Sequence, residues 1–305
     1  MTAVIFFAAV ASMHFACPSC GQDLAIAIPG GLKCANGHTI NVAKEGHVHM
    51  LPPVKVNAQA QAASDSVVRA QRAFYEHGGY AAQLDAVAAE VHRALQACPE
   101  YPDAADEMHV LNAGCGEGEC LRLLEQRLEA DGVRLGGLWG TDTSKLAVRY
   151  AAKRQRTARF AVCAPHQLPF RDGSMHVVFS LLAPSPPWEE SCRVLRPGGA
   201  VVVARAGNRH LRELRPSDAF ASDEPKQFAA GLAEQYVRVC TEERYRGALA
   251  TELLAMAGVG GASDTLLDSG SGEVQLAAPV TVDLICSTHR VWLGTGGEDS
   301  LGCLP

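Results

Sequence analysis

Apolar runs alternate with segments of helical periodicity along the chain from residue 109 onward. The run at residues 110–113 precedes a segment in which Leu121, Leu124 and Leu128 recur at helical spacing. Further apolar runs end at Asp142 and occur in "ARFAV", "MHVVFSLL" and "AVVVARA". Short apolar runs predict strands, and their alternation with helices predicts a parallel sheet covered on both faces. We therefore expect an α/β, Rossmann-like domain over residues 108–305.

The segment that precedes this domain has a different pattern. Residues 52–63 contain prolines and are then polar and alanine-rich, which favours a linker. Ser64 marks an expected helix start. A second helix is predicted by apolar residues at helical spacing, namely Leu84, Val87, Ala88, Val91 and Leu95. The chain is therefore divided into residues 1–55, a linker and helical segment at 56–107, and the α/β domain at 108–305.

Three cysteines and a histidine near the N-terminus have the spacing C-x2-C-x13-C-x3-H. They are Cys17, Cys20, Cys34 and His38. A tight turn can place both sulfurs of a CxxC pair on one ion, and thiolate and imidazole ligands without a carboxylate suit tetrahedral, structural Zn²⁺. The alternatives are free thiols in two unrelated pairs, or a redox pair, which no βαβ pattern around Cys17 supports. We predict a zinc ribbon within residues 1–55.

Composition and charge restrict the class of protein. The 305 residues have a formal net charge of −6 and 48% hydrophobic residues. These values are typical of a globular protein and exclude a uniformly basic nucleic-acid coat. Residues 149–159 and 205–215 are nevertheless rich in arginine and lysine. Each of these two basic runs is either a solvated face or a patch that binds phosphates.

The compartment is inferred from the cysteines and the N-terminus. Most of the eleven cysteines are scattered singly. Four of them are interpreted as buried thiols, which suit a reducing compartment: Cys98, Cys163, Cys192 and Cys286. The apolar run at residues 3–11 is too short to span a bilayer and lacks the basic residues of a secretory signal. We expect a cytoplasmic protein with no membrane partner, and organelle targeting stays open.

A glycine-rich turn follows the first strand of the α/β domain. Strand, turn and helix in this order form a cradle for a nucleotide-type ligand, because glycines let the backbone approach it closely. The second strand ends at Asp142, where such folds bind ribose hydroxyls; the alternative is a helix N-cap. The loop after the third strand is expected to lie against the adenine. The expected cofactor-binding residues are Asn112, Gly114, Cys115, Gly116, Glu117, Gly118, Asp142, Thr143, Ala164, His166 and Leu168.

The ordered motifs resemble a known family. The "GCGEG" turn, "LPF" and "VLRPGG" resemble class I S-adenosylmethionine-dependent methyltransferases. With "CPSC", "CANGH", "RAQRAFYEHGGY" and "RHLREL" in addition, residues 17–214 resemble the bacterial RlmA-like rRNA guanine-N1 methyltransferases. That resemblance implies S-adenosylmethionine, a zinc-ribbon domain that recognises RNA, a guanine in a hairpin of large-subunit (23S-type) rRNA, and a homodimer.

Two features depart from the family pattern. Asn112 stands where the family commonly has an aspartate, and the loop at residues 183–187 lacks the family's lysine. An amide forms hydrogen bonds but does not attract a sulfonium, so two alternatives stay open. One is a zinc-dependent RNA-binding protein that has lost catalysis, and the other is a small-molecule methyltransferase, against which the zinc ribbon argues. The sequence identifies no general base; His166 is a candidate, although an adenine-side or structural role suits its loop better.

Overall fold

The computed structural model describes residues 15–27, 30–52, 58–183, 187–214, 233–256, 276 and 279–290. A small antiparallel sheet near the N-terminus comprises β1 (Ala25–Ala27), β2 (Gly31–Lys33) and β3 (Thr39–Asn41). The remaining elements, in chain order, are β4 (Val48–His49), α1 (Ala58–Glu76), α2 (Ala81–Gln96), β5 (His109–Ala113), α3 (Glu119–Ala130), β6 (Gly137–Asp142), α4 (Lys145–Arg154), β7 (Arg159–Val162), β8 (Met175–Leu181), α5 (Trp188–Val194), β9 (Leu195–Ala206), β10 (Ala233–Glu243), α6 (Gly247–Met256) and β11 (Val280–Arg290).

The larger sheet has eight strands in the order β10-β11-β9-β8-β5-β6-β7-β4. The strands from β9 to β4 in this order pair parallel, whereas β11 and β10 extend the sheet antiparallel. The successive β5 residues Val110 and Leu111 are buried in different hydrophobic clusters, so the sheet is covered on both faces. The α/β, Rossmann-like prediction is confirmed. The sequence did not predict the antiparallel pair or the addition of β4.

Helix α1 begins at Ala58, before the predicted start at Ser64. Residues 58–63, which were predicted to belong to a linker, are therefore helical. Alanine and glutamine have high helix propensity, so "AQAQAA" extends the helix toward the N-terminus. Gln61 Nε2 donates a hydrogen bond to Asp65 Oδ1 at 2.8 Å across one helical turn, which supports this extension.

The segment Pro197-Gly198-Gly199 lies inside β9. Gly198 has a φ of 81°, which bends the strand without the strain that a Cβ would cause. The pairing of β9 with β8 changes register nearby, between Met175 and Val177. Residues 196–199 pair with neither β8 nor β11, so this segment forms a turn that loops out of the ladder within β9.

The N-terminal segment packs against the sheet of the α/β domain. Phe15 is buried, and its ring lies 5.0 Å from that of Trp139 and 5.4 Å from that of Phe170. Strand β4 pairs with β7, and Met50 N–H donates to Val162 O at 2.8 Å. A boundary at residue 55 therefore does not separate two independent hydrophobic cores.

Three of the four cysteines interpreted as buried thiols, Cys98, Cys163 and Cys286, are buried and free. Cys192 takes part in a disulfide bond, so the interpretation was wrong for that residue. The positions of cysteines that are scattered singly along a sequence do not show which of them form a disulfide in the fold. None of the described helices has the length and apolar content needed to cross a membrane.

Candidate active site and metal centre

Cys17, Cys20, Cys34 and His38 converge at one point of the N-terminal segment. One potential ligand atom from each residue lies within 4.8 Å of all the others. His38 Nδ1 is 3.6 Å from Cys17 Sγ and 3.4 Å from Cys34 Sγ, and Cys20 Sγ is 3.7 Å from Cys34 Sγ. Ligand atoms around a tetrahedral zinc lie roughly 3.3–3.8 Å apart, so these four residues fit structural Zn²⁺.

Two glycine turns hold the ligand residues in place. Gly21 N–H donates to Cys17 O at 2.8 Å, and Gly37 N–H donates to Cys34 O at 3.0 Å. The two glycines have φ values of 69° and 85°, a conformation that is costly for residues with a Cβ. A hydrogen bond from the backbone of Gln22 lowers the pKa of Cys20 to about 6, which favours the thiolate form that binds zinc.

A pocket of about 270 Å³ opens at the carboxyl ends of β5, β6, β7 and β8. Open parallel sheets bind their ligands at this edge. Eight of the eleven predicted cofactor-binding residues line the pocket: Asn112, Gly114, Cys115, Gly116, Glu117, Asp142, Thr143 and Leu168. The glycine turn and the end of β6 therefore face the same cavity.

The other three predicted residues, Gly118, Ala164 and His166, do not line this pocket. A Cβ on Gly118 would lie 3.0 Å from the Cβ of Ala151, so this glycine permits close packing between the start of α3 and α4. Ala164 and His166 line a second cavity of about 950 Å³, between the zinc-ribbon turn and the loop after β7. The two cavities share Thr143, Cys163 and Leu168 in their linings.

The carboxylate of Asp142 faces the glycine turn. Oδ2 accepts a hydrogen bond from Gly116 N–H at 2.9 Å, and Oδ1 accepts one from Ser144 N–H at 2.8 Å. The N-cap of α4 is Ser144, whose side chain accepts from Ala147 N–H, so Asp142 does not cap that helix. Burial raises the pKa of Asp142, and the backbone hydrogen bonds from Ser144 and Gly116 oppose that shift. Each carboxylate oxygen keeps a further lone pair that could accept from a ribose hydroxyl.

Asn112 lies near the end of β5 and is only 1% exposed. Its Oδ1 has no hydrogen-bond partner within the part of the chain that the structure describes. A buried carbonyl without a partner costs about 1–3 kcal/mol, so a ligand that donates a hydrogen bond there is favoured. Gly114, with a φ of 82°, leaves room for that ligand, since a Cβ would lie 3.4 Å from Ala183 Cβ. The residues present therefore fit S-adenosylmethionine, whose ammonium and ribose hydroxyls are donors.

Glu117 forms part of the pocket wall and is almost fully buried. Burial raises its pKa to about 8, and the Arg154 guanidinium opposes that shift. Arg154 Nη2 lies 2.8 Å from Glu117 Oε2 and 3.3 Å from Glu76 Oε1, and its Nη1 contacts Glu119. Glu117 was among the predicted cofactor-binding residues, whereas Arg154 was predicted only as a member of a basic run, because its partners are scattered along the chain.

Helix α1 contributes Gln71 and Tyr75 to the pocket lining. Neither residue was predicted to have a function. They are one helical turn apart within "RAQRAFYE", and this spacing is also common on ordinary helix surfaces. Only the packing of α1 over the glycine turn distinguishes them.

The basic run at residues 149–159 does not form one free cationic face. Arg149 Nε lies 3.0 Å from Glu45 Oε1, and the Arg159 guanidinium lies 5.5 Å from the centre of the Trp139 ring. Arg154 is paired with three carboxylates. In the second run, Arg212 lies 2.9 Å from Glu213. Several of these charges are therefore engaged in contacts within the chain, and whether either run binds phosphates stays a prediction.

Two family models match the chain. One, described as "Methyltransferase domain", matches residues 110–199, and the other, described as "RlmA, N-terminal" and named for a zinc ribbon, matches residues 15–57. The 23S rRNA (guanine(748)-N(1))-methyltransferase of Streptomyces fradiae is 35% identical over 204 residues, which are 66% of each chain. The "Putative 23S rRNA (guanine-N(1)-)-methyltransferase" of Micromonospora griseorubida is 33% identical over 217 residues, 66% of this chain and 68% of that one.

The fold, the pocket at the strand ends and these matches define a class I S-adenosylmethionine-dependent methyltransferase with an N-terminal zinc ribbon. More narrowly, the chain belongs to the RlmA family of 23S rRNA (guanine-N1)-methyltransferases. The match spans about two thirds of the length of these curated relatives.

Proposed function

We propose that this protein transfers a methyl group from S-adenosylmethionine to N1 of a guanine in a hairpin of large-subunit rRNA. The observation that carries the proposal is the polar pocket at the carboxyl ends of β5–β8, in a chain whose zinc ribbon packs against the same sheet. The names of the two curated relatives support this substrate.

The pocket residues have distinct tasks in this proposal. The Asp142 carboxylate accepts from the ribose hydroxyls, and Asn112 Oδ1 accepts from the ammonium group. The glycine turn at residues 114–118 lets the backbone approach the ligand closely. S-adenosylmethionine supplies a methyl group on a cationic sulfur, which is a good leaving group. The chain then contributes mainly by positioning, because in-line displacement depends on the orientation of the reacting groups.

The guanine must leave its base stack before N1 can enter a pocket of this size. Its N1 proton must also depart, which calls for an acceptor. His166 is exposed and lines the second cavity and not the cofactor pocket, so an adenine-side role and the role of general base both stay predictions for this residue. The second cavity lies between the zinc-ribbon turn and the cofactor pocket, with which it shares three lining residues.

The remaining parts of the proposal concern partners and location. Lys33 and Lys44 are exposed on the ribbon and are suited to phosphate contacts. The homodimer implied by the resemblance stays a prediction, which light scattering on the purified protein would test. A cytoplasmic location likewise stays a prediction, and microscopy of a tagged full-length chain would test it.

Primer extension across the large-subunit rRNA tests the proposed substrate. Methylation at guanine N1 blocks the Watson–Crick edge, so reverse transcriptase should stop one nucleotide before the modified guanine. RNA from cells that contain the protein should show this stop in a hairpin, and RNA from cells without it, or with Asp142→Ala, should not.

Transfer of tritium from labelled S-adenosylmethionine by the purified protein distinguishes the alternatives. Label in metabolites alone would indicate a small-molecule methyltransferase. RNA binding without transfer would indicate an RNA-binding protein that has lost catalysis. Label in RNA without any new stop would overturn the guanine-N1 assignment.

A further inference from the structure

Helix α1 closes one side of the cofactor pocket with two polar side chains. Gln71 Nε2 donates a hydrogen bond to the Tyr75 hydroxyl oxygen at 3.1 Å. A Cβ on Gly116 would lie 3.6 Å from Gln71 Oε1, so the amide stands directly over the glycine turn. Because the Tyr75 oxygen is the acceptor in its bond with Gln71, the hydroxyl proton remains available to a ligand.

The two ends of the pocket offer different chemistry. Asp142 and Thr143 at the end of β6 form the side proposed to hold the ribose. Tyr75 lines the pocket together with Glu117, Glu119 and Cys120, which belong to the glycine turn and the start of α3. A ligand with its nucleoside at Asp142 therefore extends its other end toward α1 and the start of α3.

Ion pairs hold α1 in this position. Glu76, the neighbour of Tyr75, lies 2.7 Å from Arg72 and 3.3 Å from Arg154. Arg154 also reaches Glu117 in the glycine turn at 2.8 Å. The Arg72 guanidinium lies 4.5 Å from the centre of the Tyr150 ring on α4. The helix is thus tied both to α4 and to the glycine turn, which fixes the side chains that it presents to the pocket.

We propose that Gln71 and Tyr75 bind the amino-acid end of S-adenosylmethionine, with the Tyr75 hydroxyl donating a hydrogen bond to its carboxylate. This inference rests on the proposed cofactor site. It adds to that site two residues that lie on α1 and not at the ends of the strands. The Gln71 amide orients the Tyr75 hydroxyl through their mutual hydrogen bond.

The test compares ligands with and without the amino-acid end. Calorimetry would measure the binding of S-adenosylhomocysteine, which has that end, and of 5′-methylthioadenosine, which lacks it, to the full chain. Tyr75→Phe and Gln71→Leu should weaken S-adenosylhomocysteine binding by roughly tenfold, the loss expected for one hydrogen bond to a charged group. Binding of 5′-methylthioadenosine should stay within about twofold, because the nucleoside contacts are unchanged.

Tyr101→Phe is the matched control. It removes a hydroxyl that is hydrogen-bonded to His92 at 2.9 Å, and Tyr101 does not line the pocket. Both ligands should bind this variant as they bind the wild type. Unchanged S-adenosylhomocysteine affinity in Tyr75→Phe, or an equal loss for both ligands, would overturn this inference and leave the proposed function standing. Failure of the wild type to bind S-adenosylhomocysteine would overturn the proposed function as well.

Discussion

Arg154 Nη2 lies 2.8 Å from Oε2 of Glu117 at the wall of the cofactor pocket. The same guanidinium contacts Glu76 and Glu119, so one cation is shared among three carboxylates. Burial disfavours the charged form of Glu117, and the shared charge of Arg154 does not fully offset that effect. The pKa of Glu117 is therefore raised to about 8. The pocket therefore contains a carboxyl group whose charge changes near neutral pH.

The raised pKa of Glu117 predicts a loss of stability with rising pH. Between about pH 4.5 and pH 8 the folded state keeps a proton that the unfolded state releases. Protonation of Glu117 in the folded state adds to the free energy of unfolding. This stabilisation is fully present below about pH 4.5 and is lost as the pH rises through the folded pKa of about 8. Glu117→Gln resembles the protonated form and should gain up to a few kcal/mol relative to the wild type between about pH 5 and pH 9.

Urea unfolding of both proteins at several pH values would measure this difference. Glu129→Gln, at an exposed position on α3, is the control and should give the same pH profile as the wild type. If the difference between Glu117→Gln and the wild type were constant across this range, Glu117 would not titrate with a raised pKa.

Asp142→Ala should weaken the binding of both S-adenosylmethionine and S-adenosylhomocysteine. The substitution removes a charged acceptor for the ribose and also the partner of Gly116 N–H, so we expect a loss of about 1.5–3 kcal/mol. Isothermal titration calorimetry would measure both affinities. Unchanged affinities would show that the ribose binds elsewhere.

Asn112→Asp should increase the preference of the pocket for a cationic ligand. A carboxylate in place of the buried, unpaired amide oxygen attracts the ammonium group that both ligands share, and in addition the sulfonium that only S-adenosylmethionine carries. The ratio of the two dissociation constants, measured side by side, should therefore shift several-fold toward S-adenosylmethionine, on the order of 1 kcal/mol. An equal change for both ligands would mean that residue 112 does not sense the charge on sulfur.

Cys34→Ser should lose the bound zinc and destabilise the ribbon. The wild type should contain about one zinc per chain, because the four ligand atoms already lie at tetrahedral spacing. Elemental analysis and thermal unfolding would measure both effects. Cys240→Ser, which removes an exposed free thiol, is the control and should keep its zinc. Full retention of zinc in Cys34→Ser would rule out the ligand set.

Phe15→Ala should destabilise the whole chain and not only the ribbon. Phe15 is 1% exposed and packs against Trp139 and Phe170, so its truncation should cost about 3–5 kcal/mol. Ile26→Ala, at a position that is 41% exposed, should cost much less. Chemical unfolding followed by tryptophan fluorescence would measure both values. Equal effects of the two substitutions would show that the ribbon does not share a core with the sheet.

The packing of Phe15 also bears on truncation. Removal of residues 1–52 would strip β4 from the edge of the sheet and expose Trp139. Such a deletion therefore does not isolate RNA recognition from cofactor binding. Substitution of the exposed Lys33 or Lys44 is the better way to separate the two tasks, because neither side chain is needed for that packing.

Much of the site's framework was predictable because its signals are local in sequence. The glycine turn directly follows a strand, and each zinc-binding pair lies within one turn of chain, so the spacing alone brings the residues together. The pocket wall formed by Gln71 and Tyr75 was not predictable in this way. Nor were the ion pairs of Arg149 and Arg154, whose partners are far away in sequence.

The sequence by itself determined the α/β alternation, the order of glycine turn and acidic strand end, and the composition of the zinc ligand set. Hydrophobic periodicity and short spacing determine which residues are neighbours within one strand, turn or helix. The three features named above depend only on such local neighbours. Only the tertiary structure decided that β4 joins the sheet, that α1 covers the pocket and that His166 faces a second cavity. Those placements depend on how distant apolar surfaces such as those of Phe15 and Trp139 bury one another, and the free energy of that burial is a property of the packed chain.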